Sequence, residues 1–169
     1  MARPTAGEYG AFYQTYINYT QGNTVDELIG THAATILSGI QAIPAAKADY
    51  AYAPGKWTIK QMLQHMLDTE RIFAYRLVWI ARGDQRALMG FDENAFADAA
   101  PATHRSLAEL VEEFTHLRKS TDALLLSLRD TDLQQSSEAS GSPISVNALC
   151  FIIYGHNLHH LRILSERYL

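Results

Sequence analysis

The densest group of side chains able to do chemistry lies near the C-terminus, in His156-Asn157-Leu158-His159-His160. His156 and His160 are an i, i+4 pair, so on a helix they stand one turn apart on one face. Counted at 100° per residue from Val146, the residues Leu149, Ile153, His156 and His160 fall between about 280° and 340°. The pair therefore shares the apolar stripe, while His159, at about 220°, lies outside it. Two imidazoles one turn apart and aimed into a bundle form half of a metal site, and neutral imidazole suits zinc, nickel, copper and ferrous iron. The same spacing also serves ordinary core histidines with satisfied hydrogen bonds, and the pair alone does not separate the two readings. A zinc protease of the H-E-x-x-H kind is excluded, because Asn157 stands where the general-base glutamate is needed. A third ligand has to come from another helix. His65 is the best candidate, since no other histidine falls inside the second amphipathic helix and it borders that helix's core face. His32, His104 and His116 have no partner at useful spacing and read as surface or capping residues.

These rings need helices to hold them, and helical periodicity dominates the chain. A short aromatic-rich segment, Glu8 to Tyr19, comes first and is broken by Gln21-Gly22-Asn23. Thr24 with Glu27 makes a capping box that opens a helix through Leu28, Ile36 and Ile40 towards Pro44. Thr58 with Gln61 opens a second long helix, ended near Arg82 by Gly83-Asp84. Its broad apolar face carries Met62, Leu63, Met66, Leu67, Phe73 and Leu77, with Glu70 near the middle and His65 at the edge. Ser106 with Glu109 opens a third long helix, to about Arg129. Ser142-Pro143, or Ser145, opens the last, which runs to about Arg167. Between them lie a long connection from Asp84 to about Thr103 and a polar linker from Thr131 to Gly141. Four helices of roughly 20 residues predict an all-α protein, a four-helix bundle with an additional short N-terminal helix, as one domain over residues 1–169. Two long connections leave simple up-and-down topology open.

Composition narrows the class. In 169 residues, 47% are hydrophobic and 19% charged, which suits one folded domain with a real core. A net charge of −4 offers no general attraction to phosphate backbones, so no nucleic-acid partner is expected. The single cysteine, Cys150, cannot make an intrachain disulfide. The N-terminus lacks a continuous apolar run and carries Glu8 early, so it makes a poor signal peptide. The longest apolar run, Ala148 to Tyr154, falls far short of the roughly 18 residues a membrane span needs. The expectation is a cytoplasmic protein with no membrane partner, and base rates point to a homodimer.

Two stretches together carry a family resemblance. Trp57-Thr58-Ile59-Lys60-Gln61-Met62-Leu63-Gln64-His65, followed by Asp68-Thr69-Glu70-Arg71, resembles the second helix of the DinB/YfiT-like superfamily. Gly155-His156-Asn157-Leu158-His159-His160-Leu161 resembles its last helix, and Gly90-Phe91-Asp92-Glu93 is similar to a loop in one branch. The resemblance implies a bundle of the DinB/YfiT-like type. It further implies one divalent metal, held by a histidine of the second helix and an H-x-x-x-H pair of the last, here His65, His156 and His160. The family is associated with metal-dependent thiol transfer, thiol-dependent isomerisation and presumed hydrolysis, and it implies no DNA binding.

Three neutral imidazoles leave coordination positions open, as in catalytic rather than structural sites. Water activated there gives hydrolysis, and a bound small thiol becomes a thiolate nucleophile. Zinc or nickel is the first expectation, with manganese or iron also compatible. The expected substrate is a small-molecule electrophile, with a low-molecular-weight thiol as co-substrate in the transferase reading. Glu70 and Asp92 are the candidate catalytic carboxylates. Glu70, on a core face, must be paired or hydrogen-bonded. It either orients a ligand or forms an ion pair with an arginine such as Arg71, Arg76 or Arg162. Asp92 and Glu93 read equally as acid/base groups at the site mouth or as a solvated loop. Trp57 reads as packing the helix start, and Cys150 as a core residue. Two other functions fit the same chain: a non-catalytic metal-binding bundle, and an interaction module that dimerises through aromatic residues of its N-terminal segment or an outer helix face.

Overall fold

Each long helix begins where a hydroxyl can take up a free backbone N–H. In the structure, a computed structural model that describes residues 1–100 and 102–169, the elements in chain order are α1 (Gln14–Tyr19), α2 (Val25–Gln41), α3 (Ile59–Ala81), α4 (Glu93–Ala99), α5 (Leu107–Leu126), α6 (Asp130–Leu133), β1 (Ser136–Ala139), β2 (Ser142–Ser145) and α7 (Val146–Ile163). Thr58 and Ser106 form complete capping boxes with Gln61 and Glu109. The box expected at Thr24 is only half made. Thr24 accepts from the Glu27 N–H, but the Glu27 carboxylate turns to the Asn23 N–H at 2.7 Å.

The bundle consists of α2, α3, α5 and α7. Both α5 and α7 pack against α2 and α3, so the sequence neighbours α2 and α3 occupy opposite corners. The chain from Ala42 to Thr58 makes that diagonal crossing. A simple up-and-down order would have placed them side by side. Every residue of α7 from Val146 to Asn157 is buried, because α1 lies on the face that α2 and α3 leave uncovered. The single apolar stripe read from the sequence is therefore too narrow a description; a helix covered all round is a central one.

Two further expectations change. The segment Glu8 to Tyr19 is helical only from Gln14, after two 3-10 turns at Ala6–Glu8 and Ala11–Tyr13. The polar linker Thr131 to Gly141 is ordered: it holds α6 and β1, and β1 pairs antiparallel with β2. Ser140 and Gly141 at the hairpin tip both have positive φ (55° and 73°), the mirror-image turn that matches strand twist. Ser142-Pro143 accordingly lies in β2, and Ser145 is the residue that caps α7, accepting from the Ala148 N–H. Tyr9 bridges to Ile144 and Leu88 to Ala139, so the N-terminal segment and the connection after α3 both seat on the hairpin. Among the described residues, no helix is long and apolar enough to cross a membrane.

Candidate metal centre

His65 comes from the second turn of α3, and His156 and His160 from successive turns of α7. These two helices pack directly on each other. The three buried rings turn their Nε2 atoms to one point. His65 Nε2 and His160 Nε2 each lie 3.1 Å from His156 Nε2, and one ligand atom from each ring falls within 4.8 Å of the others. Two donors 3.1 Å apart and both about 2.1 Å from a shared centre subtend about 95°, between octahedral and tetrahedral angles. The donor set and the spacing therefore fit one divalent ion.

Burial also sets the right protonation state. It lowers the His65 pKa to about 4, with Glu93 opposing the shift. Burial, reinforced by the neighbouring imidazoles, puts His156 and His160 well below the usual histidine value. All three are neutral at pH 7, with lone pairs free for a cation. Thr69 Oγ1 lies 3.5 Å from His65 Nδ1, a long contact that steadies the ring. His160 Nδ1 is buried without a partner among the described residues.

The cluster opens on a cavity of about 500 Å³. Its roof comes from the N-terminal segment, where Tyr16 meets the His156 ring edge-on at 5.4 Å. That close cover is possible because of Gly155: a Cβ there would lie 2.1 Å from the Tyr16 carbonyl oxygen. Trp57 is part of the wall and packs its ring 4.8 Å from His65, so it does more than seal the start of α3. His159 lines the cavity beside the cluster but is outside the group of three converging donors.

The carboxylates distribute differently. Glu70 is 1% exposed and is absent from the cavity wall. Its Oε1 accepts from the Thr121 hydroxyl at 2.7 Å and forms an ion pair with Arg118 Nη1 at 2.9 Å, and its Oε2 accepts from the Asn157 amide at 2.8 Å. Arg118 continues to Asp122, which accepts from the Tyr154 hydroxyl at 2.6 Å. The partner of Glu70 is thus Arg118 on α5, rather than Arg71, Arg76 or Arg162. Sequence reasoning missed it because the choice depends on which helices face each other. Asp92 caps α4 by accepting from the Asn94 and Ala95 N–H groups, and it too is off the cavity wall. Its neighbour Glu93 is on that wall. Cys150 is fully buried and lies away from the cavity. His32, expected at the surface or in a cap, is buried and accepts from the Gln21 N–H at 2.8 Å.

A family model described as the DinB superfamily matches residues 29–164, most of the chain. This chain belongs to the DinB superfamily. A solved structure, that of YfiT from Bacillus subtilis, superposes with a TM-score of 0.71 at 17% identity over 97% of this chain and 90% of that one. YfiT is described as a probable metal-dependent hydrolase with an unusual four-helix bundle topology. The superposition shows that this DinB-superfamily chain has the four-helix-bundle fold of YfiT. No curated protein matches it. The aromatic roof of the cavity, Phe12, Tyr13 and Tyr16, comes from outside the matched residues.

Proposed function

We propose that this DinB-superfamily protein holds one divalent metal ion through Nε2 of His65, His156 and His160 and hydrolyses a small-molecule electrophile in the adjoining cavity. The observation that carries the reading is the convergence of three neutral Nε2 atoms at the floor of an aromatic pocket. The likeness to YfiT, a probable metal-dependent hydrolase, supports it. When bound, such an ion keeps open positions and supplies Lewis-acid activation of water or of a small thiol. The nitrogen-only donor set suits zinc or nickel first. The protein's own part is to position and to exclude. Tyr16, Trp57 and Phe73 wall the cavity with apolar surface that limits bulk water. Glu93, at the start of α4, lines the same cavity and would serve as the general base for a water activated there. Cys150 supplies no nucleophile, so a thiol in a transferase reaction would come from solution.

The test is metal analysis with matched variants. Wild-type protein is expected to carry about one ion per chain. His156→Ala should lose at least about a hundredfold in affinity while staying helical, since even changes behind a ligand cost 10–100-fold. His159→Ala should keep its metal. Unchanged stoichiometry in His156→Ala would remove the proposed centre. Zinc-, nickel- and manganese-loaded protein is then assayed on ester and amide substrates with and without a small thiol. Turnover only with thiol reassigns the reaction to thiol transfer, and no turnover by metal-loaded protein overturns the catalytic part.

A further inference from the structure

The cavity has a second pole. Along α3, counted from His65 at 100° per residue, Thr69 falls at about 40°, Phe73 at about 80° and Arg76 at about 20°. They form one stripe, and Arg76 stands about 16 Å of helix axis beyond the histidine. Arg76 is 2% exposed, yet it lines the cavity. Among the described residues, no carboxylate forms an ion pair with it. Glu93, the carboxylate on the same wall, makes no ion pair either. The partners Arg76 finds are neutral: Nη2 donates to the Met89 carbonyl at 2.7 Å and the Ser140 hydroxyl at 3.2 Å, and the Tyr13 hydroxyl also stands beside the guanidinium. The rings of Phe73 and Phe91 flank the guanidinium at 6.0 and 5.9 Å. Arg118, the other fully buried arginine, shows the contrast: it is compensated by Glu70 and Asp122.

A buried guanidinium without a counter-charge is costly unless something supplies one. Its planar fork matches the geometry of an oxyanion, above all a carboxylate. We infer that Arg76 anchors an anionic group of the substrate at the end of the cavity away from the three histidines, so that the site takes a small electrophile carrying a carboxylate or similar oxyanion. This rests on the proposed function for the reacting end. It adds that the substrate bridges a metal-binding pole and a cationic pole across an aromatic middle formed by Phe73 and Tyr13.

The test compares matched probes by calorimetry on the full chain, both metal-loaded and chelator-treated: 4-phenylbutanoate, 3-phenylpropylphosphonate and the neutral 4-phenylbutanamide. Wild type is expected to bind at least one anion tenfold or more tighter than the amide, and to keep that preference after metal removal. The tighter anion names the oxyanion class. Arg76→Gln should abolish the preference while amide binding stays. Arg76→Lys should restore part of it, and Ser140→Ala, which removes a neutral partner of the guanidinium, should retain it. Equal binding of acid and amide by wild type overturns the inference even if Arg76→Gln fails to fold. So does an equal loss of both probes in Arg76→Gln, which would mark a purely architectural arginine, and so does a preference that vanishes on chelation, which would assign it to the metal. Metal content measured on the same samples separates this failure from failure of the centre itself.

Discussion

Burial acts in opposite directions on the nitrogen and sulfur groups of this protein, and in both cases it favours the neutral form. The histidines lose their proton and become donors for a cation. The Cys150 thiol keeps its proton, with its pKa pushed up to about 12. A raised thiol pKa means the thiolate is scarce at every pH below that value. Folded protein is therefore expected to resist iodoacetamide between pH 7 and 9, where an ordinary cysteine ionises, and to react fully in denaturant. Mass spectrometry of the alkylated chain reads the outcome, and rapid labelling of folded protein at pH 8 would show that the thiol is accessible. Asp92 and Glu93 make the complementary point about carboxylates. They are adjacent, yet one is consumed by a helix cap and the other faces the cavity. Residue type did not distinguish them, because the start of α4 decides which side chain turns inward.

At the level of elements, the site depends on how closely α1 lies against α7. Gly155 permits that contact, and a methyl group there collides with main chain rather than with a flexible side chain. Gly155→Ala is expected to cost about 1–3 kcal/mol as an overpacking substitution. It should also loosen the Tyr16 roof over His156. Urea denaturation gives the first quantity and quenching of cavity-proximal Trp57 fluorescence the second. An alanine variant as stable as wild type, with unchanged quenching, would show that α1 does not need this approach. The helix starts at Thr58 and Ser106 were legible because capping is local chemistry. The hairpin was not. Its strands are short, polar and paired partly to distant segments, so no period-two pattern marks them.

For the molecule as a whole, a buried polar network ties the bundle together. Glu70 on α3, Arg118, Thr121 and Asp122 on α5, and Tyr154 and Asn157 on α7 contact one another across the centre. This links the diagonal pair α5 and α7, with Asn157 standing next to His156 of the candidate metal centre. Arg118→Met strands the Glu70 carboxylate and is expected to lower the unfolding free energy by about 3–5 kcal/mol. Adding Glu70→Leu should recover much of that loss, since the stranded charge is then gone. Chemical denaturation of the two single variants and the double variant checks this. Additive losses would show that Glu70 and Arg118 do not act as a pair.

The histidine pair of α7, the long-helix starts and the all-α class are all local matters of spacing, capping and period, so they could be read directly along the chain. So could the resemblance to the DinB/YfiT-like superfamily, which the family match and the fold bear out. That His65 of α3 meets the pair was implied by the family resemblance and depends on how the helices pack. The partner of Glu70, the cavity arginine, the roof over the histidines and the diagonal placement of α2 and α3 could not be read that way. Each depends on which surfaces meet: Arg118 is 48 residues from Glu70, and Tyr16 is 140 from His156. A buried charge must find its partner through space, and periodicity along one helix carries no information about the element on the other side.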